Sequence, residues 1–213
     1  LLDERGEMYV ALSDMSVLQR MDMEFIRRRE SMIKGARLLV FDPALPEAVI
    51  EGITSQYGDA LPLFCDPVSS AYARRLKPYV GKVHTLKPNR MELTVLTGHD
   101  TDTPKGVKAA CEMLLCRGVK RIFVSMGHEG CLYMDSEGNV VQRALSPIEN
   151  IANASGAGDA FTAAVIYSYL KGFGINRTID YALAAGAVAV SAATTINPEI
   201  SPELIEKIII ERG

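Results

Sequence analysis

Short, uninterrupted apolar runs alternate along the chain with amphipathic stretches. Residues 37–41 (RLLVF) end at Asp42-Pro43, residues 61–65 (LPLFC) at Asp66-Pro67, residues 82–86 (KVHTL) at Lys87-Pro88-Asn89, and residues 121–125 (RIFVS) at Met126-Gly127. Runs of this length, apolar without strict alternation, predict strands buried on both faces. Helical spacing between them predicts helices over 24–33, 47–57, 70–76, from Asn89 to 97, and 105–116, with Gly35, Gly58, Gly98 and Gly118 as stops. A short strand is expected over 8–12. Segments 131–134 and 140–144, separated by Ser136-Glu137-Gly138-Asn139, predict an antiparallel hairpin. Three helices close the chain, over 158–171, 177–193 and 202–211.

Strand–helix alternation with apolar strands predicts an α/β fold: a doubly wound, mainly parallel sheet with helices on both faces. Ligands of such folds sit beyond the carboxyl ends of the strands. Asp66, Asn89 and Gly127 each fall just after a strand. No internal repeat or low-complexity linker interrupts the pattern.

Composition narrows the function classes. The 213 residues are 48% apolar with a net charge of -3, enough for one well-buried domain with at most a small appendage. This mild acidity, with scattered Lys and Arg, argues against nucleic acid or a membrane surface as partner. Arg27-Arg28-Arg29, the densest basic group, lies between Glu24 and Glu30 and is expected on a solvated helix face. Cys65, Cys111, Cys116 and Cys131 have neither metal nor redox spacing, so buried free thiols are expected. No apolar run is long enough to cross a bilayer and no signal peptide is evident, so a cytoplasmic location is the expectation. The opening Leu1-Leu2-Asp3-Glu4-Arg5-Gly6-Glu7 resembles a strand end and a turn, as though the sequence started mid-fold.

The strongest chemical pattern is Asn153-Ala154-Ser155-Gly156-Ala157-Gly158-Asp159 ahead of an apolar helix. Small residues let a backbone approach a ligand, and the free N–H groups of a helix start attract anions. A carboxylate in that first turn can take a proton from a hydroxyl attacking a phosphoryl group. Equally, Asp159 suits a helix start on electrostatic grounds alone. Phe161, Val165 and Tyr169 share a helical face, and Ala160, Ala163 and Ala164 permit close packing. In Lys87-Pro88-Asn89-Arg90-Met91-Glu92, Asn89 and Glu92 lie three apart, which fits a capping box. The same pair could offer an amide to phosphate and a carboxylate to hydrated Mg²⁺. Ser125-Met126-Gly127-His128-Glu129-Gly130 is either a plain glycine turn or a loop lying against a nucleotide. His84 is expected to pack or to support a neighbour, His99 follows a helix-ending glycine, and His128 sits in the glycine loop. None has metal spacing.

Together, in this order, these motifs resemble the ribokinase-like, PfkB family of carbohydrate kinases over nearly the whole chain. Where the family signature has two Thr before Gly-Ala-Gly-Asp, this sequence has Ala154 and Ser155. Within the family, Asp66-Pro67-Val68-Ser69 and His84-Thr85-Leu86-Lys87-Pro88-Asn89-Arg90 resemble pseudouridine kinases. The resemblance implies a ribokinase-like α/β domain over 16–213, truncated at its amino end, with 1–15 as the remnant of a small β lid. It also implies an ATP-dependent phosphotransferase that needs Mg²⁺ and acts on a sugar or nucleoside, with the 5′-hydroxyl of pseudouridine the leading acceptor. Ribose and fructose, or a nucleotide-binding fragment without catalysis, remain alternatives. By resemblance Asp159 is the base, and Gly156, Ala157 and Gly158 form the anion site. Asn89 and Glu92 handle phosphate and Mg²⁺, Glu92 through water. Ser125 and Gly127 line the nucleotide site, and adenine sits near Pro147 and the segment holding Thr195 and Asn197. Asp14 is the one nameable substrate contact. Asn153 replaces an Asp that many relatives use for a monovalent cation, which puts K⁺ activation in doubt. Relatives also pair through the lid, so a homodimer is among the implied states.

Overall fold

A computed structural model describes residues 14–146, 156–192 and 194–212. They divide into two compact units. One comprises 14–126 and 132–141; the other comprises 127–131 and the described residues from 142 onward. The expected strand over 8–12 lies outside the described residues.

The first unit begins with α1 (Met23–Arg27), α2 (Glu30–Lys34) and β1 (Leu39–Phe41), then α3 (Glu47–Tyr57), β2 (Leu63–Cys65) and α4 (Ser70–Leu76). It continues through β3 (Thr85–Leu86), α5 (Arg90–Thr97), α6 (Pro104–Cys116) and β4 (Arg121–Ser125). The chain passes between the units at β5 (Cys131–Asp135) and β6 (Val140–Arg143). The six strands form one sheet in sequential order, and β1 through β4 are parallel. The links into β5 and β6 are too short for a parallel crossover, and the Asp135 amide donates to the Asn139 carbonyl at 3.2 Å across the β5–β6 turn, as expected of the hairpin. All three residues of β2 are buried. Leu63, Leu86, Leu93, Leu114 and Ile122 are fully enclosed in one apolar cluster.

Local chemistry sets the helix boundaries. Asp22 accepts the Phe25 amide at 2.7 Å to start α1, and Thr103 accepts the Gly106 amide at 3.1 Å to start α6 with Pro104 in its first turn. Gly98 takes a left-handed φ of 84° and closes α5.

Three expectations need correction. The single helix over 24–33 is two. The Arg29 guanidinium donates to the Phe25 carbonyl at 2.8 Å while the Arg29 amide turns to Ile26, so a side chain takes the acceptor that would have continued the helix. The strand over 82–86 shrinks to Thr85–Leu86, because the Lys82 and Val83 amides donate to Tyr79 and Val80 in a 3₁₀ turn. Cys116 is exposed, being the last residue of α6, whereas Cys65, Cys111 and Cys131 are buried and free as expected.

The β5–β6 turn is fastened by Asp135, which is 7% exposed. Its Oδ1 accepts the Glu137 and Asn139 amides, both at 3.0 Å. Its Oδ2 accepts Asn139 Nδ2 at 2.9 Å and the Tyr133 hydroxyl at 2.8 Å, and Arg121 Nε donates to that hydroxyl at 3.0 Å.

The second unit holds α7 (Ala157–Lys171), α8 (Ile175–Val190) and α9 (Pro202–Arg212). The face that α7 buries carries Phe161, Ala164, Val165 and Ser168. Tyr167 stacks on Tyr181 at 5.4 Å between ring centroids, and Arg177 reaches Glu206 at 2.6 Å to tie α8 to α9. Among the described residues, no helix is long and apolar enough to cross a membrane.

Candidate functional site

In the first unit, strand register brings two charged residues together. Cys65 pairs with Leu86 in the parallel β2–β3 ladder, so the next residues, Asp66 and Lys87, come side by side where the strands end. Lys87 Nζ lies 2.8 Å from Asp66 Oδ2, with only 9% and 14% of the two side chains exposed. Asp66 Oδ1 accepts the Val68 amide at 3.0 Å. The Ser69 amide donates to the Pro67 carbonyl at 2.7 Å, closing a three-residue turn around Val68 at a φ of 64°. Positive φ at a β-branched residue is a strained state. The sequence reading missed this arrangement. Its signal was available: adjacent apolar runs ending in Asp-Pro and Lys-Pro.

Asn89 and Ser125 continue the β3–β4 ladder as an isolated parallel bridge, and the Ser125 amide donates to Pro88 at 2.9 Å. Asn89 Oδ1 accepts the Glu92 amide and Glu92 Oε2 accepts the Asn89 amide, both at 2.9 Å, so the capping box is fully built. Glu92 is 3% exposed. Burial pushes its carboxyl up; the hydrogen bond from the Asn89 amide opposes this, the Asp66 charge adds to it and the Lys87 charge opposes it, leaving the group above its ordinary value. Among the described residues, no group of three or more His, Cys, Asp or Glu could hold a metal ion. A single buried carboxylate suits Mg²⁺ held mainly by water and phosphate oxygens rather than a protein cage, and Glu92 fits that requirement. Nearby, His84 stacks on Phe64 at 5.8 Å, and burial lowers its pKa, helped by Arg121 and Lys120. It packs, as expected.

In the second unit, Gly156 precedes α7 with φ 87°. A Cβ there would run into the Thr195 carbonyl oxygen. Gly156 brings no side chain of its own to cap the first-turn N–H groups of the helix. Asp159 lies exposed in that first turn. Gly186 of α8 faces this mouth, where a Cβ would make an ordinary contact with the Ala157 carbonyl oxygen at 3.6 Å. Thr195 is exposed and forms the wall beside Gly156. The Asn197 amide is spent internally, donating to Val188 at 3.0 Å and accepting from Glu199 at 2.9 Å, so it shapes the segment.

The remaining candidates are dispersed. Gly127 is exposed at φ 58° in a 3₁₀ turn, with His128 exposed beside it. Asp14 is exposed, and its Oδ1 accepts the Ser16 amide at 2.9 Å. Pro147 and Asn153 lie outside the described residues.

Known proteins supply an independent comparison. A pseudouridine kinase of Escherichia coli is 31% identical over 202 residues, which cover 94% of this chain and 64% of that protein. The crystal structure of a sugar kinase candidate from Clostridium perfringens superposes with a TM-score of 0.86 at 27% identity, covering 100% of this chain and 66% of that one. A ribokinase of Arabidopsis thaliana complexed with ribose and ATP superposes with a TM-score of 0.75 at 22% identity, over 84% of this chain and 57% of that one. The last likeness supports the ribokinase-like α/β fold. The chain thus spans about two thirds or less of the length of these relatives. The family model for pfkB carbohydrate kinases matches residues 11–202, which include every motif read from the sequence. On that match, the chain belongs to the pfkB family of carbohydrate kinases.

Proposed function

We propose that this chain carries the phosphoryl-transfer machinery of an ATP-dependent sugar or nucleoside kinase, with the 5′-hydroxyl of pseudouridine as acceptor. The observation that carries the reading is the mouth of α7: a glycine confined by the Thr195 carbonyl, a helix start whose N-cap residue has no side chain, and an exposed carboxylate in the first turn. The Asp159 carboxylate takes the proton of the attacking hydroxyl. The sugar oxygen then bonds to the γ-phosphorus as its bond to the β,γ-bridging oxygen breaks, and ADP leaves with that electron pair. The N–H groups of Ala157 and Gly158 receive charge on the transferring group, and Gly156 keeps the backbone open enough to do so. Asn89 and Glu92 serve phosphate and metal, Glu92 through water. Mg²⁺, when bound, neutralises the phosphate charge. Ser125 and Gly127 border the nucleotide, and Thr195 lies toward its base, with Asn197 holding that segment in shape.

What supports pseudouridine as acceptor is 31% identity to the pseudouridine kinase sustained over 94% of this chain. The test is ADP release by the chain with Mg-ATP, alone, with pseudouridine and with ribose. Pseudouridine-dependent release is expected. Release with ribose alone would overturn the acceptor, and ATP binding without acceptor-dependent release would overturn the transfer role.

A further inference from the structure

Lys87 is a nearly enclosed cation at the carboxyl end of β3, two residues from Asn89 and within electrostatic range of Glu92. A buried ion pair is weak evidence for stability, because desolvation offsets much of the attraction. Keeping such a pair beside phosphate- and metal-handling residues points to placement of the charge. Asp66 is itself held on two sides, by the Val68 amide at 3.0 Å and by Lys87 at 2.8 Å. The Val68 turn is strained at φ 64°, and a β-branched side chain stands where glycine would relax it.

From this geometry we infer that Asp66 is a positioning residue: clamped by the strained turn at Val68, it fixes the Lys87 ammonium at the strand ends, ready for a phosphate oxygen of the nucleotide. The inference rests on the kinase reading above. Lys87 meets the ligand, and Asp66 acts only through it. Lysine suits the task as a compact point charge on a flexible stem, and that stem is why it needs a holder.

The test uses Asp66→Asn, Lys87→Met, the double variant and Val68→Gly, each measured for Mg-ATP affinity by titration calorimetry, for turnover, and for unfolding midpoint. Asp66→Asn keeps an acceptor for the Val68 amide but strands a buried cation, so loss of folding there is no surprise. The double variant removes both charges and is expected to regain the parent's unfolding midpoint. Its Mg-ATP affinity or turnover is expected to stay at least tenfold below the parent's. Val68→Gly is expected to raise the midpoint while lowering turnover, opposite signs that a merely structural turn would not give. A double variant that matches the parent in midpoint, affinity and turnover would overturn the inference while leaving the kinase reading intact. A parent that binds no Mg-ATP would instead overturn the kinase reading on which the inference rests.

Discussion

Glu92 sits where a structural cap and a metal-handling carboxylate make the same demand on sequence, and two substitutions separate them. Glu92→Ala removes the acceptor of the Asn89 amide in a site 3% exposed. A buried donor left unpaired costs about 1–3 kcal/mol, so unfolding free energy should fall by that amount. Glu92→Gln keeps an amide oxygen where Oε2 lies and loses only the charge. Because burial holds the Glu92 carboxyl above its usual value, the group favours the folded state most when protonated. That contribution is complete below the unfolded pKa and lost as pH rises through the folded one. Glu92→Gln should therefore match the parent near pH 4 and equal or exceed it at pH 7 in chemical denaturation. Its Mg²⁺ half-saturation for ADP release should rise roughly 10–100-fold, the usual loss when a group acting on a metal through water is removed. If Glu92→Gln is as unstable as Glu92→Ala at pH 7, the account of its burial is wrong. If its Mg²⁺ requirement is unchanged, Glu92 is a cap and no more.

Gly156→Ala meets both a left-handed φ, costing about 1–2 kcal/mol for a side chain, and the Thr195 carbonyl. Gly127→Ala meets the φ cost alone, in open space, so urea denaturation should show a larger loss at 156, and equal losses would refute the steric argument. Asp159→Asn, at an exposed position, should leave the unfolding midpoint nearly unchanged while turnover falls on the order of 10²–10⁴-fold; ordinary turnover would remove Asp159 as the base. At Asp135, burial pushes the carboxyl up, but hydrogen bonds from Asn139, Tyr133 and the Asn139 and Glu137 amides outweigh it and leave the value lowered. Its stabilisation is thus present above the unfolded pKa and lost as pH falls through the folded one, and Asp135→Asn should flatten the stability profile below about pH 4.

What the sequence disclosed, and what it hid, follows the range of the interactions involved. α3, α4 and β4 have the expected bounds because propensity, periodicity and stop residues agreed within each segment. The Asn89–Glu92 box was legible because both its hydrogen bonds close within four residues. The break at Arg28 was not, since it depends on which of two donors reaches the Phe25 carbonyl, and the pattern of apolar positions is silent on that choice. Asp66 and Lys87 lay further out of reach: 21 residues separate them, and only the β2–β3 register makes them neighbours. That register is itself inferable once the strands are parallel and each ends at a residue before proline. Proline cannot donate to a ladder, so within the β2–β3 ladder Pro67 and Pro88 mark where pairing by amides stops, and the residue just before each is the last that this ladder aligns. Two such stops on adjacent strands place their preceding side chains together at the carboxyl edge, the edge where α/β folds bind ligands. Opposite charges there turn a pair of strand endings into a held cation, assembled from dipeptides that separately mean only the end of a strand.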